Sequence, residues 1–145
     1  MAAGAWTFYN SAKEHLMDGG IDLDTNNFRM TLHTSASNAA TATLSSKGSL
    51  TGEVTESAGG YSSSGQPLAG VTWQSGASSS EIRFDATANV WTASGVNITS
   101  VKYAVIWQSG GTLLCYSQLS TAQFNVNNGN TLTITPSANG IFELN

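Results

Sequence analysis

The segment Val101–Trp107 constrains the fold more than any other part of the sequence. Large apolar side chains occupy every second position of this segment: Val101, Tyr103, Val105 and Trp107. Because successive side chains of a β-strand point to opposite faces of a sheet, this spacing predicts a strand with one apolar face. Ala104 and Ile106 belong to the other face, so both faces are predicted to be partly buried. We therefore expect this strand to be central in its sheet.

Shorter segments with strand character recur along the chain, and turns rich in Gly, Asn and Ser separate them. Further strands are predicted at Phe28–His33, Val71–Trp73, Ile82–Phe84, Val90–Trp91, Leu113–Tyr116, Leu132–Ile134 and Ile141–Leu144. Gln108–Gly111 is predicted as a hairpin turn, and residues 34–49 as a long surface excursion. Several short strands separated by such turns are typical of β-sandwiches and jelly rolls. The sequence therefore predicts an all-β fold, a jelly-roll-like β-sandwich of about eight short strands.

One short helix is predicted near the N-terminus, within Trp6–Asp18. Phe8, Ala12 and Leu16 have helical spacing there, and Gly19 supplies a stop. A length of 145 residues favours one hydrophobic core, so residues 1–145 are predicted as a single domain.

The aromatic residues at the start of the chain form a candidate partner interface: Trp6, Phe8 and Tyr9. They follow an uncharged leader, and residues 1–7 are predicted as an N-terminal arm. Aromatic anchors dominate the energetics of protein interfaces, so this arm could dock on a partner. The alternative is that the three side chains begin the helix and tuck against the sandwich.

Charge is scarce and unevenly distributed. Charged residues make up 10% of the chain, where about a quarter is usual, and Lys102 is the only charged residue between Asp85 and Glu143. A net charge of −4 with scattered basic residues argues against nucleic acid and membrane surfaces as partners. Edge strands without charged residues tend to pair with other chains. A chain that keeps such strands is therefore expected to pack against identical neighbours, which cover them.

Catalytic chemistry is not expected from this sequence. Glu53 and Glu56 are the pair of acids considered for glycoside chemistry, and in a Gly/Ser-rich loop they are interpreted as solvating charges. Cys115 lies in an apolar strand, where a thiol behaves as a small hydrophobe, and its pairing with His33 has no support in the pattern. An enzyme is therefore disfavoured.

Metal and cofactor sites are not predicted either. Asp22, Asp24 and Asn26 resemble the start of a calcium loop, but the required Gly and bidentate acid are missing. Turn formation is the preferred interpretation. His15 and His33 lack Cys or acidic partners at ligand spacing and are interpreted as surface residues.

Five segments carry a resemblance to a known family: Trp6–Glu14, Ile21–Leu23 leading into Phe28–Leu32, Val90–Gly95, Val101–Ile106 and Gly129–Ile134. In this order they resemble small virion structural proteins of tailed bacteriophages, across nearly the whole chain. The resemblance implies a head decoration (cement) protein, made in the host cytoplasm, that binds the major capsid protein on the outer surface of the head, often as a trimer. It implies no catalytic residue, cofactor or metal.

An alternative within the same resemblance is a tail or fibre structural module. If such a module bound a glycan, it would need an exposed aromatic platform with adjacent Asn or Asp residues. Trp73 and Trp107, near the ends of predicted strands, are the candidates for that platform.

Overall fold

The structure is a computed structural model and describes Met1, residues 3–75 and residues 80–144. It is an all-β, sandwich-like fold of antiparallel sheets with one α-helix, so the predicted fold class is confirmed. The helix is α1 (Asn10–Asp18), and two 3-10 turns lie at Lys47–Ser49 and Ala58–Gly60. The strands are β1 (Trp6–Phe8), β2 (Phe28–Thr34), β3 (Gln66–Pro67), β4 (Thr72–Ser75), β5 (Ile82–Asp85), β6 (Asn89–Thr92), β7 (Ile98–Gln108), β8 (Leu113–Gln118), β9 (Phe124–Val126), β10 (Thr131–Ile134) and β11 (Phe142–Leu144).

The largest sheet has the order β1-β8-β7-β2-β3, and β9 also pairs with β7. Its longest strand, β7, lies between β8 and β2, so the predicted central strand is correct. A hairpin joins β7 to β8, closed by the Gln108 N–H donating to the Thr112 carbonyl at 2.8 Å. Gly111 has φ 100° in this turn, a conformation that glycine adopts without a steric cost.

One face of the large sheet packs against an aromatic layer from the sheet β11-β5-β4. Phe28 of β2 contacts Phe84 of β5 edge to face, with ring centroids 6.0 Å apart. Phe8 of β1 contacts Phe142 of β11 in the same way at 4.7 Å. The sheet β10-β6 contributes Leu132 and other side chains to the same buried cluster.

Residues 35–61 lie over the opposite face of the large sheet. The Tyr116 hydroxyl donates to the Ala40 carbonyl at 3.4 Å, and the Lys47 ammonium lies 5.6 Å from the Trp107 ring centroid. The predicted surface excursion therefore acts as a cover. It completely buries His33, so the interpretation of His33 as a surface residue was wrong.

The N-terminal segment differs from its prediction. The helix begins at Asn10, because Trp6–Phe8 forms a strand paired with β8. The Met1 amino group donates to the Thr133 carbonyl at 2.8 Å, and the Ala3 N–H donates to the Thr135 carbonyl at 3.0 Å. The predicted arm is therefore paired with both β10 and β8. The helix ends as predicted, at Gly19 with φ 82°.

Candidate interaction surface

The three aromatic residues predicted to meet a partner have different positions in the fold. Tyr9 is completely buried, and its hydroxyl donates to the Ala39 carbonyl at 2.7 Å. Burial raises the pKa of the Tyr9 hydroxyl well above its ordinary value. Tyr9 therefore presents no surface to a partner in this fold, which corrects that part of the prediction. Trp6 and Phe8 are half-buried.

An aromatic cluster extends from the core towards solvent along β4, β5 and β11. Phe84 is completely buried, and its ring centroid lies 5.3 Å from those of both Trp73 and Phe142. Trp73 and Phe142 are only half-buried. One step further along the sheet, Ile82 pairs with Leu144, and both side chains are exposed. The apolar layer therefore continues past the core to the surface.

Two adjacent grooves lie where this layer meets helix α1, and together they form what we call the end surface. The larger groove has a volume of about 550 Å³ and the smaller one about 370 Å³. Both are lined by Leu16, Met17, Phe142 and Leu144. Met17 is 89% exposed and Leu144 is 59% exposed. Large apolar side chains with such exposure, grouped beside a groove, are typical of interaction sites.

Asp22 and Asp24 line the larger groove, as Trp73 does, and we call the part of the groove that carries these two carboxylates its rim. The Asp22 carboxylate accepts hydrogen bonds from the Asp24 N–H at 2.9 Å and the Thr25 N–H at 3.2 Å. Hydrogen bonds from Thr25 and Asp24 lower the pKa of Asp22, so this carboxylate is ionised at neutral pH. The rim is negatively charged and its turn is fixed by these bonds.

The same loop was the candidate calcium site. Asn26 turns its side-chain oxygen to the Asp22 N–H at 2.9 Å and to the Gln108 amide at 2.8 Å. Its polar groups therefore stabilise a turn, as the preferred interpretation has it. Among the residues that the structure describes, no group of three or more His, Cys, Asp or Glu side chains could hold a metal ion.

A polar cluster lies where residues 35–61 meet β2 of the large sheet. Lys47 and Glu53 form an ion pair, and the Tyr61 hydroxyl donates to the other Glu53 oxygen at 2.7 Å. The Leu32 N–H donates to the Tyr61 hydroxyl at 3.1 Å. Burial and the Glu53 charge raise the pKa of Tyr61 far above its ordinary value. These bonds fasten the cover to β2.

His33 belongs to this cluster. Its Nε2 lies 3.1 Å from the Thr31 hydroxyl, and its Nδ1 lies 3.4 Å from the Ser37 hydroxyl. Burial, with a smaller effect of the Lys47 charge, lowers the pKa of His33 to about 4. The imidazole is therefore neutral at neutral pH and serves as a hydrogen-bonding side chain of the interior.

The structure does not bring together the residue pairs considered for hydrolysis. Glu53 binds Lys47 and Tyr61, whereas Glu56 accepts a hydrogen bond from the Ser63 N–H. Cys115 pairs with Ile106 and His33 with Tyr103, positions an odd number of residues apart on β7, so the two side chains lie on opposite faces of the sheet. Burial also raises the pKa of the Cys115 thiol.

The two tryptophans considered as a glycan platform have unequal positions. Trp107 is 8% exposed and has Lys47 over its ring, so it is removed from that role. Trp73 is half-buried and lines the same groove as Asp22 and Asp24. It therefore remains a candidate for the platform, with part of its ring exposed and with aspartates in the same groove.

Sequence reasoning missed the residues that make the end surface apolar. Met17 and Leu144 were not singled out, although Met17 lies four residues after Lys13 on the solvent side of a short helix. An uncharged long side chain in that position was the available signal. Leu144 carried no such signal, because its exposure depends on where β11 lies.

No protein-family model matches the chain, and searches of curated proteins and of solved structures return no significant match. No helix in the described part of the chain has the length and hydrophobicity needed to cross a membrane.

Proposed function

We propose that this protein is a head decoration (cement) protein of a tailed bacteriophage. In this proposal it binds the major capsid protein on the outer surface of the assembled head and reinforces the shell. The observation that carries the proposal is the end surface, where Met17 and Leu144 are exposed beside apolar grooves. Burial of such a surface across the joints between capsid subunits would oppose their separation.

The polar chemistry of the chain supports a binding role without catalysis, cofactor or metal. Lys47, Glu53 and Tyr61 are bound to one another, and His33 is a neutral interior side chain. These groups stabilise the fold, whereas the end surface combines exposed apolar side chains with the Asp22 and Asp24 carboxylates. Catalysis requires titratable groups that can reach a substrate.

Charge supports an outer location on the head. The net charge of −4 is unfavourable for a lumen filled with DNA, where basic residues neutralise phosphates. We further propose that copies associate, with a trimer favoured, because several linked weak contacts hold a decoration protein more tightly than one.

The test uses undecorated mature capsids of the phage that encodes the chain. Purified protein is mixed with these capsids, and bound protein is measured by co-sedimentation while shell opening is followed during heating. We expect saturable binding and a higher opening temperature. Absence of binding at saturating concentration, with no gain in heat stability, would falsify the proposal. Light scattering of the free protein tests the trimer.

A second candidate function is a tail or fibre module that binds a host glycan. The observation that favours it is that Trp73, Asp22 and Asp24 line the same groove, since sugars stack on aromatic rings and form hydrogen bonds with carboxylates. A glycan array with the wild-type protein and Trp73→Leu tests this candidate. Binding that is lost in the variant supports it, and a blank array with the wild-type protein removes it.

A further inference from the structure

We propose that the end surface binds a segment of another protein in which an Arg or Lys side chain adjoins a large apolar side chain. This inference rests on the proposed function, because the segment would belong to the major capsid protein. It adds the chemistry of the contact and the residues that make it.

The apolar part of the segment would fit the grooves between α1 and β11. Their shared lining of Leu16, Met17, Phe142 and Leu144 is hydrophobic. A side chain that entered there would cover Met17 and Leu144, which are mostly exposed in this chain. Burial of apolar area is the main favourable term in such association.

The basic part of the segment would meet the rim of the larger groove. Asp22 and Asp24 lie there, and no basic side chain lines this groove within the described part of the chain. The Asp24 carboxylate has no hydrogen bond or ion pair among the described residues and is exposed. Trp73 adds an aromatic ring to the lining of the same groove, and a guanidinium binds favourably to carboxylates and to aromatic rings.

Charge complementarity favours a different protein over a second copy of this chain. The basic side chains of this chain are mostly engaged: Arg29 donates to the Ser64 and Gly65 carbonyls, Lys47 pairs with Glu53, Arg83 donates to the Ala138 carbonyl, and Lys102 lies over the Tyr103 ring. Lys13 is the remaining cation, and it lines the smaller groove beside Glu143. A second copy therefore has little basic surface to offer to this rim.

The test compares two pairs of variants that leave the core intact. Asp22→Asn with Asp24→Asn removes two rim charges, and Asn at position 22 keeps the oxygen that accepts the turn hydrogen bonds. Its control is Glu14→Gln with Glu56→Gln, which removes two exposed charges that do not line the grooves. Met17→Ser with Leu144→Ser removes exposed apolar groups, and Val96→Ser is its control because Val96 is 57% exposed outside both grooves.

Binding to undecorated capsids is measured for all five proteins at two salt concentrations. We expect each groove variant to bind at least about 10-fold more weakly than the wild type, and the controls to bind like it. Added salt should weaken wild-type binding, and the Asp22/Asp24 variant should lose that dependence. Wild-type binding with unchanged groove variants overturns this inference and leaves the decoration role standing. No wild-type binding to capsids overturns the proposed function.

A peptide-binding experiment tests the end surface without the capsid. The probe is a fluorescent peptide of sequence Gly-Ser-Arg-Leu-Phe-Arg-Ser-Gly, compared with versions that carry Glu for both Arg or Ser for Leu and Phe. Binding of the first peptide alone, lost in both groove variants, supports the inference. Equal binding of all three, or of none, overturns it. A wild-type oligomer that Met17→Ser with Leu144→Ser dissociates, or glycan binding at Trp73, would also overturn it.

Discussion

The two faces of the large sheet are covered in different ways, and only one cover is closed. Residues 35–61 cover one face with buried side chains such as Ala39 and Val54 and with polar contacts, in which Lys47, Glu53 and Tyr61 bind one another. The aromatic layer around Phe84 covers the other face and continues to the exposed Leu144. The polar contacts hold the first cover against the sheet, whereas the apolar layer extends past the core to side chains that are exposed.

The comparison predicts that the aromatic layer contributes most to stability where it is buried. Phe84→Ala should lower the free energy of unfolding by about 3–5 kcal/mol, because it removes a fully buried ring and leaves a cavity. Ile82→Ala, two residues away on the same face and 43% exposed, should cost less than about 1 kcal/mol. Urea denaturation measures both. Equal losses of unfolding free energy in the two variants would contradict the distinction between a buried part of the layer at Phe84 and an exposed part at Ile82.

Acid should weaken the polar cover through His33. The pKa of His33 is about 4 in the folded chain and 6.5 ordinarily, so the unfolded chain takes up a proton first as the pH falls. The contribution of His33 to the free energy of unfolding is fully present above pH 6.5. It falls by ~3 kcal/mol between pH 6.5 and 4 and does not change further below pH 4.

The measurement is the free energy of unfolding against pH for the wild type and His33→Gln. Gln keeps a hydrogen-bonding side chain without a titrating ring, so the difference between the two curves isolates His33 from the carboxylates. Parallel curves between pH 6.5 and 4 would contradict the prediction.

Breaking the ion pair should loosen the same cover. Glu53→Ala leaves Lys47 and the Tyr61 hydroxyl without their shared partner, and we expect a loss of about 2 kcal/mol. The side chains of Lys47 and Glu53 keep 20% and 19% exposure, and the solvent that reaches them limits the effect. Hydrogen exchange should accelerate in residues 35–61. Glu56→Gln is the control and should change stability by less than about 0.5 kcal/mol.

The smallest effect on stability is expected at the open end of the aromatic layer. Met17→Ser with Leu144→Ser should leave the free energy of unfolding within about 0.5 kcal/mol of the wild type, because both side chains are mostly exposed. A thermal melt checks this. A loss as large as that of Phe84→Ala would show that these residues belong to the core rather than to a free surface.

The strands with several large apolar residues between turn signals could be predicted from the sequence, whereas β1, β3 and β9 could not. Val101–Trp107 indicated the central strand because its apolar spacing is local information. β1, β3 and β9 have only two or three residues each, too few for a period, and their strand character comes from pairing with distant partners. His33 was misplaced because nothing local reveals that residues 35–61 cover its side of β2.

The candidate site shows the same division. Trp73 and Phe8 could be chosen from the sequence because aromatic residues are conspicuous anchors. The end surface as a whole could not, because Met17 and Leu144 come together only when β11 pairs with β5 near α1. Its acidic rim was visible as Asp22 and Asp24, but the sequence suggested a turn there and gave no sign of the groove.

The pairing of the N-terminal segment has a consequence for how the chain folds. The Met1 amino group bonds to a carbonyl 132 positions away, and β1 pairs with residues 115–117. Such separations slow folding, because long loops must close before these contacts form. The contact between Phe8 and Phe142 belongs to this long-range set, and both residues line the smaller groove. The end surface is therefore complete only after β1 and β11 have both docked.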